Sequence, residues 1–170
     1  MSGYRGDQER RGPFNSYFYN NTIYVKKGNE PKIAIDSKAH GILIANNIFY
    51  TEEDIKMVLG DQYKPETDSQ NKSSSIVFSN NLFLHKNSWP TNAPIQPSDS
   101  MIGNPKFKKK EGLSIADFIV ENKRLVKDKG MVIEKLSGDD VGLKVGLGVT
   151  YDILGNPIKG NPDIGAIELD

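Results

Sequence analysis

The chain has 170 residues, enough for one domain with a core and short for two. Lys plus Arg and Asp plus Glu balance at 22 each, so the whole-chain basic field of a nucleic-acid binder is missing. The lack of cysteine excludes disulfide frameworks, Cys-bound zinc and a thiol nucleophile, and no apolar run reaches the about 20 residues that span a membrane.

Charged residues make up 26% and apolar ones 36%, a mix that suits an elongated fold with much surface per residue. Residues 1–13 read as an irregular N-terminal segment. The string MSGYRGDQERRG has no apolar signal-peptide centre, which leaves either a cytoplasmic protein or a natural start elsewhere in a precursor. Three related segments follow: Tyr17–Val25 (YFYNNTIYV), Ile42–Tyr50 (ILIANNIFY) and Ile76–Leu84 (IVFSNNLFL). Before each Asn pair, period-two spacing puts Phe18, Ile44 and Phe78 in one column, with Ile42 and Ile76 two positions earlier. After the pair, Ile23, Phe49 and Phe83 form a second column. On that parity Asn20, Asn46 and Asn80 point inward and stack as an amide ladder. Asn21, Asn47 and Asn81 then occupy the sharp bend, where Asn tolerates left-handed backbone.

Between these segments the pattern predicts a strand at Lys32–Ile35 after the Gly28-Asn29 turn, an acidic loop at Thr51–Asp54 and a strand over Ile55–Leu59. A long polar loop is expected over 61–75. Past His85 the pattern changes. Trp89-Pro90 through Ser100 should lie across the outside, and Lys106 with Lys108, Lys109 and Lys110 reads as a solvated loop. Leu113–Lys127 allows a helix-like turn before a strand near Arg124–Val126, and the tail combines a Gly-Asn-Pro turn with a terminal strand, Ile164–Leu169. The pairs at 20–21, 46–47 and 80–81 recur after 26 and 34 residues, one solenoid turn with variable loops. The expectation is an all-β, right-handed parallel β-helix. This would be a single-stranded solenoid with a few coils and long loops over 14–100, and a C-terminal coil with an irregular cap over 101–170.

The strings NNTIYV, GILIANNIFY and IVFSNNLFL resemble coils of secreted right-handed β-helix proteins related to alginate-lyase and chondroitinase-B-type polysaccharide lyases. MIGNPKF at Met101–Phe107, the Tyr-Asp and Gly-Asn-Pro of the tail, and the closing Asp163-Ile164-Gly165-Ala166-Ile167-Glu168 resemble that group's C-terminal finish. The resemblance covers most of the chain after about residue 12 and is more specific for fold than for activity. Two departures stand out. The chain starts nearly in mid-coil, and KRLVKDKGMVIEKL replaces a clearer Ser-Pro-Ala-containing turn. The resemblance implies an extracellular or periplasmic protein and an anionic polysaccharide partner. It further implies the C-terminal part of a lyase-like enzyme that gains its missing edge from further coils or a partner.

β-Elimination of a uronide needs a base for the C5 proton and positive charge for the enolate. The resembled lyases use a Lys and an Arg on middle coils, and no residue here aligns with either. Arg5, Arg10, Arg11 and Arg124 read as surface residues. Hydrolysis would need grouped carboxylates, and Asp36, Glu52, Glu53 and Asp54 are available but lie in no Asp-rich strand motif. The same four are the candidate oxygen ligands for the calcium that many of the resembled lyases use, against a solvated acidic turn as the competing reading. His40 and His85 read as exposed turn residues rather than proton shuttles. Trp89, with Tyr17, Tyr19 and Tyr24, is the candidate for stacking on sugar rings, the alternative being that it packs its loop against the coils. Asp163 and Glu168 read as structural caps. The catalytic set is therefore unassigned. The expected function is a lyase-like, polysaccharide-active protein whose C-terminal part does not act alone. The alternative is a non-catalytic glycan-binding or structural module.

Overall fold

The structure, a computed structural model, describes residues 13–36, 38–60, 75–145 and 148–170. The N-terminal segment expected over 1–13 and the loop expected over 61–75 fall almost wholly outside the described residues. Nine strands form among those described: β1 Phe14–Tyr19, β2 Thr22–Val25, β3 Lys32–Ile35, β4 His40–Ala45, β5 Ile48–Thr51, β6 Lys56–Leu59, β7 Ile76–Ser79, β8 Leu82–Phe83 and β9 Met101–Ile102. Each pairing between them is parallel. A parallel neighbour cannot be reached through a tight hairpin, so β1 pairs with β4 and not with β2.

The strands lie in three separate short sheets, β1-β4-β7, β2-β5-β8-β9 and β3-β6, and no closed solenoid unites them among the described residues. This arrangement overturns the single-stranded right-handed parallel β-helix expected from the repeat. The chain beyond β8 explains the difference. A third row would need an extended run beside β6, but residues 84–100 include Pro90, Pro94 and Pro97, which fix φ and donate no ladder hydrogen bond. That stretch instead forms turns and one isolated bridge, Ser79 to Ser98. Beyond β9 the backbone turns left-handed at Lys106, Glu111 and Asp128, and short three-ten turns form at Ile115–Phe118, Lys123–Leu125 and Gly142–Val145. The strand expected near Arg124–Val126 is therefore one of these turns. The strand expected over Ile164–Leu169 is broken at Gly165, whose φ is 106°.

The apolar columns are in register. Phe18 sits beside Ile44 and Ile44 beside Phe78, while Ile23, Phe49 and Phe83 align in the next sheet. Ile44, Phe49, Phe78 and Phe83 build an inner core with Ile35, Met57, Leu59 and Trp89; Ile23 packs against it partly buried, and Phe18 at the end of its column is exposed. The opposite face of β5 and β8 is also covered. Ile48, Tyr50 and Leu82 pack against Phe107, Val120, Val126 and Ile164 of the C-terminal segment as a second core. Burial on both faces is what a near-continuous run such as ILIANNIFY encodes, in place of strict alternation.

Each Asn pair forms the corner between two sheets. The first member takes the left-handed conformation, with φ of 53°, 55° and 51° at Asn20, Asn46 and Asn80. The second member points its amide into a ladder, with Asn21 Nδ2 donating to Asn47 Oδ1 at 2.9 Å and Asn47 Nδ2 to Asn81 Oδ1 at 3.0 Å. The roles expected within each pair are thus exchanged. A left-handed residue breaks strand alternation, so the inward parity passes to the residue after it.

Asn46 and Asn80 serve the C-terminal segment, while Asn20 Oδ1 accepts from Asn46 Nδ2 at 3.0 Å. Asn46 Nδ2 donates to the Met131 carbonyl at 2.8 Å, its Oδ1 accepts from Met131 N–H at 2.9 Å, and Asn80 Nδ2 donates to the Lys129 carbonyl at 3.2 Å. Gly165 crosses the same corner. Its N–H donates to the Asn46 carbonyl at 2.8 Å, and a Cβ there would lie 2.6 Å from Ile48 Cδ1. Only glycine combines that approach with a positive φ.

Candidate functional site

Trp89 is buried. Its ring packs 4.7 Å from Phe78 and 5.7 Å from Phe83, centroid to centroid, and its indole N–H donates to the Ile95 carbonyl at 3.0 Å. No ring face remains for a sugar, which corrects the stacking role considered for it and leaves it holding the 84–100 loop onto the core. As the one tryptophan of the chain, it reports this directly. Its emission is expected to be blue-shifted, to resist iodide quenching, and to stay unchanged when glycan is added. Strong quenching of the folded protein would contradict the burial.

The acidic candidates do not assemble. Asp36 is 1% exposed and its Oδ1 accepts the Lys38 N–H at 2.8 Å, while Asp54 is exposed. Glu52 pairs through Oε1 with Lys110 at 2.6 Å and through Oε2 with the Lys27 N–H at 2.8 Å. The Lys110 hydrogen bond and the Lys27 amide hold the Glu52 carboxyl below its usual range. Glu53 Oε1 accepts the Gly28 N–H at 3.2 Å. Among the described residues no three His, Cys, Asp or Glu side chains come together around a metal position. Calcium needs six to eight oxygens, and with Asp36, Glu52 and Glu53 accepting from amides and a lysine and Asp54 exposed, these carboxylates do not converge on such a position.

His40 is exposed at the start of β4 with its ring 4.1 Å from Phe14, and His85 is exposed in a turn. Arg124 lies exposed in the Lys123–Leu125 turn. Arg5, Arg10 and Arg11 fall outside the described residues.

The C-terminal motif folds into a knot of carboxylates and amides. Asp163 accepts the Asp128 N–H on Oδ1 and the Leu169 N–H on Oδ2, both at 2.7 Å, and its own N–H donates to Glu168 Oε1 at 3.0 Å. Asp152 accepts from the Leu154 and Asn156 amides on Oδ1, at 2.8 and 2.7 Å. On Oδ2 it accepts from Asn156 Nδ2 and the Glu168 N–H, both at 2.8 Å. Burial raises the carboxyl of Asp163 against the pull of its two amide donors, and burial likewise raises that of Glu168. For Asp152 burial acts upward, but the Asn156 side chain and the surrounding amides outweigh it and hold the carboxyl low.

Over this knot runs a trough built from three adjoining hollows of about 250, 290 and 310 Å³. The first and second share Ile153 and Ala166, and the second and third share Tyr19, Asn20, Val149 and Ile158. Tyr151 lines the middle hollow and is 60% exposed, beside Asn20, Asn21, Asp152 and Glu168. Aromatic faces with polar groups around them suit a sugar, whose rings present apolar C–H faces and hydroxyl edges. In the sequence Tyr151 stands out only as part of the tail motif, because TYDILGNP registers first as a turn. The available signal was an aromatic residue beside Asp152 within the tail motif.

No protein-family model matches the chain, and no curated protein matches it at a significant level. Among the described residues no helix is long and apolar enough to cross a membrane.

Proposed function

We propose that the chain binds an anionic polysaccharide along this trough, as the glycan-contacting part of an extracellular or periplasmic lyase-like protein, without a complete set of groups for cleavage by itself. The observation that carries this reading is the exposed Tyr151 ring in the middle one of three adjoining hollows, beside Asn20 and Asn21. The lyase-like and anionic components follow from the resemblance of the NN segments and the DIGAIE tail. The charged side chains lining the trough are Asp152 and Glu168, with no Lys or Arg among its described lining residues, so the anionic component rests on the resemblance alone.

Affinity electrophoresis and calorimetry with alginate, pectate and chondroitin sulfate, against a neutral glucan, test the proposal. Binding by at least one uronate polymer is expected. Tyr151→Ala should weaken it about tenfold, the scale of one aromatic contact, with little change in stability because the ring is exposed. Lack of binding to every polymer would sink the glycan reading and favour a structural module. Release of unsaturated uronides by the isolated chain, followed by ultraviolet absorbance, would sink the claim that it does not cleave alone.

A further inference from the structure

We propose that the end of the trough nearest Leu113 is a pocket for a small ester group carried by the glycan, a methyl ester on a uronate carboxyl or an acetyl on a sugar hydroxyl. The inference rests on the glycan-binding reading of the trough and names the form of polymer that the trough prefers. Both groups present one chemistry, a carbonyl oxygen that accepts a hydrogen bond and a methyl that avoids water.

The first hollow, of about 250 Å³, is walled by Tyr24, Leu113, Ile115, Phe118, Ile153 and Ile167. Leu113, Ile115 and Ile153 are exposed, so a ligand that covers them adds apolar burial that folding leaves unmade. An unsubstituted sugar edge carries hydroxyls and gains little against such a wall, whereas a methyl group matches it. The hollow also has a placed polar group. Thr22 Oγ1 accepts the Ala166 N–H at 3.1 Å, which orients the hydroxyl and leaves its hydrogen to donate. Ala166 lines the middle hollow as well, so this hydroxyl stands where the two hollows meet. A donor beside an apolar hollow fits a carbonyl whose methyl points inward.

Charge points the same way. The charged side chains lining the trough, among the described residues, are the carboxyls of Asp152 and Glu168 in the middle hollow. The donors around Asp152 hold its carboxyl low, so it keeps its negative charge at neutral pH. A free uronate seated there meets like charge, and a methyl ester removes that repulsion. An acetyl group fills the hollow but leaves the carboxylate in place, so the two sources of the ester separate in a binding experiment.

The test is calorimetry of the full chain with one polymer in three forms of matched length. These are methyl-esterified pectin, the pectate made from it by mild alkali, and that pectate after O-acetylation. At least one ester form is expected to bind about tenfold or more tighter than pectate, the scale of one methyl group in an apolar pocket. A lead for the methyl ester assigns the hollow to the uronate carboxyl, and a lead for the acetyl form assigns it to a sugar hydroxyl. Ile115→Asp places a charge in the hollow at an exposed position, and should pull the ratio toward one with little change in the urea midpoint. Thr22→Val should narrow the ratio too, and Thr22→Ser, which keeps the donor, should retain it. Pectate binding as tightly as both ester forms overturns the ester pocket and leaves the glycan trough standing. An ester preference that Ile115→Asp leaves intact does the same. Absence of binding by all three forms overturns the trough itself, and the pocket with it.

Discussion

Asn47→Leu is expected to lower the stability of the chain by about 2–5 kcal/mol, a large part of the 5–15 kcal/mol that folded domains possess. Asn47 is fully buried, and all four of its side-chain bonds are ladder bonds: its Oδ1 accepts from Asn21 N–H and Nδ2, and its Nδ2 donates to Phe18 O and Asn81 Oδ1. Leucine fills nearly the same space but leaves the part-buried Asn21 N–H and Phe18 carbonyl short of a partner. Asn47→Asp keeps the shape and is expected to cost at least as much at neutral pH, because it points oxygen at two acceptors and buries a charge. Acid should restore part of that loss by protonating the carboxyl. The other member of a pair behaves differently. Asn80 owes its place to a left-handed φ of 51°, which glycine adopts freely, so Asn80→Gly should cost no more than about 1 kcal/mol. Urea unfolding midpoints check the series. Tolerance of Asn47→Leu with collapse of Asn80→Gly would reverse the roles assigned to the two columns.

Asp163→Ala is expected to cost about 2–4 kcal/mol, since it strands the Asp128 and Leu169 amides in a segment where Asp163 itself is 1% exposed. The loss should be local at first. Hydrogen exchange would speed at Asp128 and Leu169 and leave the amides of β4, paired with β1 and β7, and of β5, paired with β2 and β8, protected.

The pH dependence has a definite sign. The Asp163 and Glu168 carboxyls are raised above ordinary values of 3.8 and 4.5, chiefly by burial, so the folded chain binds these protons more tightly than the unfolded one. Their contribution is fully present below those ordinary values and is lost as pH rises through the raised ones. Asp152 runs the other way. Its lowered carboxyl contributes above 3.8, and that contribution is lost as pH falls through its folded value. The advantage of the native chain over Asp163→Asn should therefore shrink from pH 4 toward neutrality. An advantage that grows over that interval would contradict the burial effect at Asp163.

Much of the local architecture is legible in the residues. The columns Phe18, Ile44, Phe78 and Ile23, Phe49, Phe83 predict the parallel register, and Lys32–Ile35 predicts β3 to the residue. The third dimension is less so. Nothing local in IVFSNNLFL tells whether the following chain continues a third sheet, and Pro90, Pro94 and Pro97 end it. The exchange of roles within each Asn pair follows from a single positive φ, which shifts parity by one residue and leaves no mark on composition. DIGAIE reads as a strand by its apolar spacing. Gly165 and the Asp163 bonds to Asp128 and Leu169 make it a knot, and those partners are fixed only when distant segments meet. Trp89 shows the same limit, because an aromatic beside proline suits a binding loop and a loop anchor equally until Phe78 and Phe83 are seen beneath it. Tyr151 becomes a candidate for sugar contact only because Tyr19 and Asn20 arrive across the trough from the other end of the chain.

The most direct test of the glycan-binding trough is an amide chemical-shift titration of the labelled chain with uronate oligosaccharides. Shifts concentrated at Asn20, Asn21, Tyr151, Ile153 and Glu168, and abolished by Tyr151→Ala, are the expected result. Saturable shifts elsewhere, with these residues silent, would contradict it.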